Sequence, residues 1–275
     1  VRRNDLEGQL RSDDAILDLL GRGELTVTGR LTDASNITLI GSVEADGVTV
    51  PCVYKPIRGE RPLWDFPDGT LAQREVASFV ISETAGWHCV PPTVLREGPY
   101  GRGMVQQWIE DADPDLAADL VVVAELQDGW FPVLRAVDAD GDPVLLVHAP
   151  TPALAVLAGF DLVVNNADRK ASHILPTPDG RIRGVDHGVT LHVDDKLRTI
   201  LWGWSGAPLP ESVLAGLRVL NSGLAKAEGE LPTTLRTLIS ADEVDALTDR
   251  VRSLLDDPRF PTPPDHRTPI PWPPL

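Results

Sequence analysis

Apolar and polar positions alternate with different periods along this chain, and each change of period marks an element. Ser12 followed by two aspartates and the apolar positions Ile16, Leu17, Leu19 and Leu20, stopped by Gly21 and Gly23, predicts a short amphipathic helix with Ser12 as N-cap. Stretches 25–31, 37–44 and 48–54 read as strands, the last two joined by a hairpin turn at Asp46-Gly47. Residues 58–69, rich in Pro, Asp and Trp, form an irregular insertion. Apolar positions then recur at helical spacing over 70–85, with Leu71, Val76, Phe79 and Val80 near one face and Gly86 as the stop. Strands follow at 90–95 and 103–109.

A turn at 111–114 marks the junction with the second half. The pattern there predicts a helix over 116–126 and a hairpin of 131–137 with 143–148 around the acidic turn Asp138 to Asp142. That turn fails as a calcium loop, because Pro143 follows its third aspartate and the glycine such a loop requires is missing. Thr151 as N-cap and Pro152 at the first helical position open a helix over 151–164 that is apolar nearly all round, hence buried. Two short apolar runs, Ile174 with Leu175 and Ile182 with Val185, flank a Pro-Asp-Gly cluster and predict a small hairpin. Helices are expected at 210–220 and 240–255, the latter with a capping box of Ser240 and Glu243. Trp202 and Trp204 read as core aromatics. From Asp257 onward the chain carries eight prolines, an extended tail that either lies along the body or fills the groove of a protein partner. No internal repeat is found.

Charge narrows the range of partners. With 41 acidic against 25 basic residues the net charge is −16, a field that repels polyanions. Nucleic acid and anionic membrane surfaces are therefore excluded as favoured partners, since both are held by Lys and Arg. No apolar run approaches the ~20 residues of a transmembrane helix, and the first residues lack the apolar core of a secretory signal. Cys52 and Cys89 are too few for a disulfide framework or a zinc site, and a reducing, cytoplasmic setting is expected. The length suits one bilobal domain or two small units sharing a cleft.

The predicted hairpin gathers chemistry at one end. Asp168, Arg169, Lys170 and His173 precede its first strand, and Asp186 follows its second. Phosphoryl transfer needs such a set: one carboxylate to orient and deprotonate the attacking hydroxyl, a second to hold a divalent cation, and fixed positive charge for the transferring group. Asp168 fills the first post, Asp186 the second, and Arg169 with Lys170 the third. His173, His187 and His192 together do not read as a zinc cluster, because a strand directs His187 away from Asp186.

These residues resemble the phosphatidylinositol 3- and 4-kinase-like family of the protein-kinase-like fold, which carries Asp-Arg-x-x-x-Asn and Asp-x-Gly where this chain has Asp168-Arg169-Lys170-Ala171-Ser172-His173 and Asp186-His187-Gly188. His173 stands where the family has a metal-binding Asn. The resemblance extends to Tyr54-Lys55-Pro56, the family's signature for the lysine that grips nucleotide phosphates, and to Glu75, the glutamate that holds that lysine. It implies an α+β bilobal fold: a β-rich N-terminal lobe over 1–110, a mainly helical C-terminal lobe over 111–256 and the tail 257–275. It also implies ATP and Mg²⁺ or Mn²⁺ as cofactors, with Asp186 and His173 at the metal. A hinge of Gln106, Gln107, Trp108 and Ile109 would seat adenine, with Trp108 either covering the base or packing as core. In the turn at 32–36, Ser35 and Asn36 either contact phosphate or form a plain polar turn, since no glycine-rich loop is present. The implied function is transfer of the γ-phosphoryl group to a hydroxyl of a lipid, protein or small molecule. Two alternatives stand beside it: a nucleotide-binding pseudokinase with a regulatory or scaffolding role, and an enzyme of this fold transferring AMP.

Overall fold

The computed structural model describes residues 13–32, 36–110, 113–138 and 140–275. In its first half the period-two pattern resolves into β1 (Glu24–Leu31), β2 (Thr38–Ala45), β3 (Val48–Pro56), β4 (Thr93–Gly98) and β5 (Gly101–Gln107). They form one antiparallel sheet in the order β1-β2-β3-β5-β4. Along β3 the side chains of Val50, Cys52, Tyr54 and Pro56 are buried. The first three join a core cluster with Ile16, Leu19 and Leu20 of α1 (Asp13–Arg22). Successive side chains of a strand point to opposite faces, so Lys55 leaves the sheet on the side away from α1. On that side lies α2 (Leu71–Thr84), packed against β4 and β5. Gly103 of β5 permits the close pairing there, since a Cβ on it would stand 2.5 Å from the Lys55 carbonyl oxygen.

The second half is mainly helical, with α3 (Pro152–Val164), α4 (Glu211–Leu224), α5 (Glu230–Arg236) and α6 (Ala241–Asp256). Thr151 caps α3 by accepting from Leu154 N at 3.3 Å, and Asn165 ends it in the left-handed conformation, φ 53°. The capping box of Ser240 and Glu243 opens α6. The hairpin of β9 (Ile174–Pro176) and β10 (Ile182–Gly184) stands where the sequence predicts it. The architecture is thus α+β, sheet-rich first and helical afterwards.

One expectation needs correction. The stretch 116–126 is not a helix but β6 (Ala118–Val122) followed by a short 3₁₀ turn at Val123–Glu125. With β7 (Phe131–Val137) and β8 (Pro143–His148) it makes a second sheet in the order β6-β8-β7. Three successive β-branched residues, Val121 to Val123, favour the extended chain, and β8 supplies the pairing edge. Helix α5 occupies a stretch that the apolar pattern leaves unassigned. Ser12, read as the N-cap of α1, and Asp111, at the predicted junction, lie outside the described residues.

The proline-rich tail lies along the body. The Pro269 carbonyl accepts from Thr199 N and Trp202 Nε1, each at 3.0 Å, and the Pro274 carbonyl accepts from Ala171 N at 2.9 Å. Among the described residues no helix is long and apolar enough to cross a membrane.

Candidate active site

Lys55 is the meeting point of the two halves. Its Nζ lies 2.7 Å from Glu75 Oε1 on α2 and 2.9 Å from Asp186 Oδ1 in the segment after β10. The Glu75 side chain is buried and its other oxygen accepts from His187 N at 2.8 Å, so one carboxylate fastens both the ammonium and the backbone beside Asp186. Asp186 takes a left-handed conformation, φ 60°, uncommon outside glycine though more accessible to aspartate than to most residues. Burial works against the Lys55 charge, yet Asp186 and Glu75 outweigh it and keep the ammonium above its ordinary range. In return Lys55 holds the Asp186 carboxyl well below the usual carboxylate range, against the opposing effect of burial.

The loop carrying Asp168 is fixed from beneath. Arg169 is fully buried and forms a fork onto Asp161 of α3, with Nε to Oδ2 and Nη2 to Oδ1 both 2.9 Å. Its Nη1 donates to the carbonyls of His173 and Val185 at 3.1 Å each, and Nη2 donates to His187 Nε2 at 2.7 Å. Arg169 therefore does not reach the cleft, and the expectation that it would contact the transferring group gives way to a role as fastener of three segments. Asn166 donates to Asp161 Oδ1 at 3.0 Å and accepts from Asp168 N at 2.9 Å, which sets the start of the loop.

Asp168 and Lys170 pair with one another, Lys170 Nζ lying 3.5 Å from Asp168 Oδ2, and Asp168 feels the charge of Asp186. Burial pushes the Asp168 carboxyl up to about 6. His173 Nδ1 faces the Asp168 backbone carbonyl at 2.9 Å, and that contact requires the proton on Nδ1 and leaves a lone pair on Nε2. His173 Nε2 lies 3.4 Å from Asp186 Oδ2. Burial holds the imidazole down to about 4, so near neutral pH it is uncharged. A neutral nitrogen lone pair facing an ionised carboxylate, with its ring fixed by a backbone carbonyl, fits a divalent cation between them.

The other expected contributors divide. Gln106 is buried, and its side chain donates to Thr93 Oγ1 at 2.8 Å. The N–H groups of Gln107 and Trp108 are committed to the carbonyls of Pro92 and Pro51, at 2.9 Å each, so these two do not serve a base as donors. Trp108 and Ile109 line a shallow cleft with Ile16, Val50 and Pro51. Asn36 shares a small pocket with Lys55, Glu75, Asp186 and Gly188, its Oδ1 accepting from Arg61 N at 2.8 Å. Ser35 lies outside the described residues. His187 is buried against Phe160 and Arg169, and His192 Nδ1 accepts from Asp194 N at 2.9 Å, so the three histidines do not converge.

Comparison with known proteins adds a lineage. No protein-family model matches the sequence. Protein Rv2133c of Mycobacterium tuberculosis (strain ATCC 25618 / H37Rv) is 47% identical over 274 residues, with 96% of each chain covered. The chain belongs to the family of Rv2133c. Among solved structures, the Golgi casein kinase with Mn/ADP bound superposes with a TM-score of 0.56 at 14% identity, covering 89% of this chain and 74% of that one. Hydra Fam20 with sugar gives a TM-score of 0.49 at 14% identity over 90% and 88%. The casein kinase likeness shows a protein-kinase-like fold for this chain.

Arg74 ties the two halves together in a way the sequence pattern does not reveal. Its guanidinium is buried, donates to the Thr190 carbonyl at 2.8 Å, pairs with Glu243 of α6 and lies over the Phe66 ring at 4.9 Å. The capping-box glutamate thereby also ties α6 to α2. The signal available in the sequence, an Arg beside Glu75 on an apolar helix, does not distinguish this from a surface pair.

Proposed function

We propose that this chain is an ATP- and divalent-metal-dependent phosphotransferase that moves the γ-phosphoryl group to a hydroxyl acceptor. The observation that carries the reading is the convergence of Lys55 from the sheet half with Asp186 from the helical half at 2.9 Å, Glu75 holding both. In this reading Lys55 binds the nucleotide phosphates. Asp186 and His173 would hold the metal, and one imidazole in the donor set suits Mn²⁺ better than Mg²⁺. A bound cation would neutralise charge on the phosphates. Asp168, with its carboxyl at about 6, is ionised at neutral pH yet basic enough to accept the proton of an attacking hydroxyl. Lys170 supplies the charge for the transferring group that Arg169 cannot.

Support for a phosphatidylinositol 3-/4-kinase-like branch rests on Tyr54-Lys55-Pro56, Asp168-Arg169 and Asp186-His187-Gly188. The net charge of −16 favours a protein or small-molecule hydroxyl over a lipid in an anionic bilayer. A second reading, a pseudokinase that binds nucleotide without turnover, is favoured by His173 in place of the family's Asn and by the lack of a glycine-rich loop in the turn at 32–36.

Incubation with ATP labelled at either the α or the γ position, with Mn²⁺ or Mg²⁺, tests the reading. The γ label is expected to leave the nucleotide in wild type and not in Lys55→Met. Transfer of the α label would replace the proposal with AMP transfer, and nucleotide-dependent thermal stabilisation without release of either label would replace it with the pseudokinase.

A further inference from the structure

Away from Lys55 and Asp186, a second recess of about 540 Å³ opens between α3, α6 and the proline-rich tail. That volume lies within the range of small-molecule sites. Its walls are largely apolar, from Leu162, Val193, Leu197, Trp202 and Leu254, and two arginines, Arg250 and Arg267, line it. Arg267 has its counter-charge, Asp195 Oδ1 at 2.6 Å from Nη2. Arg250 does not.

Nε of Arg250 donates to the Val163 carbonyl at 2.9 Å and Nη1 to the His192 carbonyl at 3.2 Å, both neutral acceptors, while Nη2 is buried without a partner. The Nε of Arg267 is likewise buried and unpartnered. Of the carboxylates bordering the recess, Asp195 serves Arg267, and Asp249 lies 3.7 Å from Arg252. Burial lowers the Arg250 guanidinium to about 10, against the more distant pull of Asp195, Glu243 and Asp249. A buried cation bonded only to carbonyls is unfavourable unless an anion or solvent completes its shell. Apolar walls around such a cation favour an anion with an apolar body over bulk water.

We propose that this recess is a binding site for a small organic anion, a single carboxylate or phosphate group carried on an apolar chain or ring, its head on Arg250 and its body against Trp202, Leu162 and Leu254. The site is separate from the phosphotransfer reading and stands or falls without it. The two carbonyls held by Arg250 belong to the end of α3, which leads into Asp168, and to the segment after Asp186. The ligand therefore sits behind both segments that carry the front cleft.

Isothermal titration of the full chain with octanoate, octyl phosphate and the neutral octanamide, with Mn²⁺ and ADP present to occupy the front cleft, tests this. At least one anion is expected to bind with saturation, octanamide at least about tenfold more weakly, and the tighter anion identifies the head group. Arg250→Gln is expected to weaken that anion by about tenfold or more. Because Arg250 also holds two backbone carbonyls, Ala246→Phe provides an independent check: it fills the recess from α6, and is expected to abolish binding while the melting temperature stays near that of wild type. No binding by either anion, equal binding of octanamide, or wild-type affinity in a folded Ala246→Phe variant would each overturn the proposal.

Discussion

Asp168 and His148 are both held away from their ordinary titration by burial, with opposite consequences. In the proposed reaction the shift of Asp168 upward to about 6 would make it a base suited to neutral pH. Asp168→Asn keeps the shape and removes the base, so turnover should fall by about 10²–10⁴-fold. The nucleotide-induced rise in melting temperature should persist, and comparing label transfer with thermal shift in that one variant checks both. His148 is fully buried, donates from Nδ1 to the Ala149 carbonyl and accepts at Nε2 from Gly203 N, each at 3.0 Å, which leaves no room for a second ring proton. Burial lowers it from 6.5 to about 4. The unfolded chain thus takes up a proton below about 6.5 that the folded chain refuses until about 4. Stability is lost as pH falls through that window, by roughly 3 kcal/mol for this one group. Urea titrations at pH 7, 6, 5 and 4 should show His148→Gln less stable at pH 7 and the gap to wild type closing toward pH 4.

Elements are joined here by buried polar side chains more than by apolar contact alone. The Asp161–Arg169 fork couples α3, the loop of Asp168 and the segment of His187 in a space without solvent. Removing one member strands the other charge, so Arg169→Met should cost about 3–5 kcal/mol in urea unfolding. The double variant Arg169→Met with Asp161→Leu should lose less than the sum of the two single changes, because the cycle removes the stranded charge. The tail acts on the same loop from outside. Deleting residues 269–275 removes the acceptors of Thr199 N, Trp202 Nε1 and Ala171 N. Hydrogen exchange should then accelerate at Ala171 and Thr199 by at least about tenfold, with β1 to β5 unchanged, since local opening is governed by local hydrogen bonds.

Over the whole molecule, a ligand that touches both halves must stabilise the fold by mass action. Nucleotide with Mn²⁺ at 100 times its dissociation constant should add about 2.7 kcal/mol, read as a rise in melting temperature. Lys55→Met should remove most of that rise, and addition of a chelator should reduce it in wild type, because Lys55 links the β3 strand to Asp186 across the cleft. Arg74, bridging α2 to α6 through Glu243, provides a second tie between the halves that does not depend on ligand.

What the sequence determined by itself was whatever short-range physics controls. The alternation along 48–56 puts Lys55 on the face opposite Val50, Cys52 and Tyr54, and a strand period permits no other outcome. Thr151 with Pro152 and Ser240 with Glu243 set helix starts through hydrogen bonds within a few residues. The Pro-Asp-Gly cluster fixed the reversal between β9 and β10. Tertiary structure alone decided the pairings between distant residues. Stretch 116–126 became a strand because β8, two dozen residues on, offered an edge, and a short apolar run carries no period strong enough to resist it. Arg169 was drawn inward by Asp161, and the N–H groups of Gln107 and Trp108 were taken by prolines from elsewhere in the chain. A side chain's type states what it can bond to, but burial and competing partners, which are properties of the folded chain, decide what it does bond to.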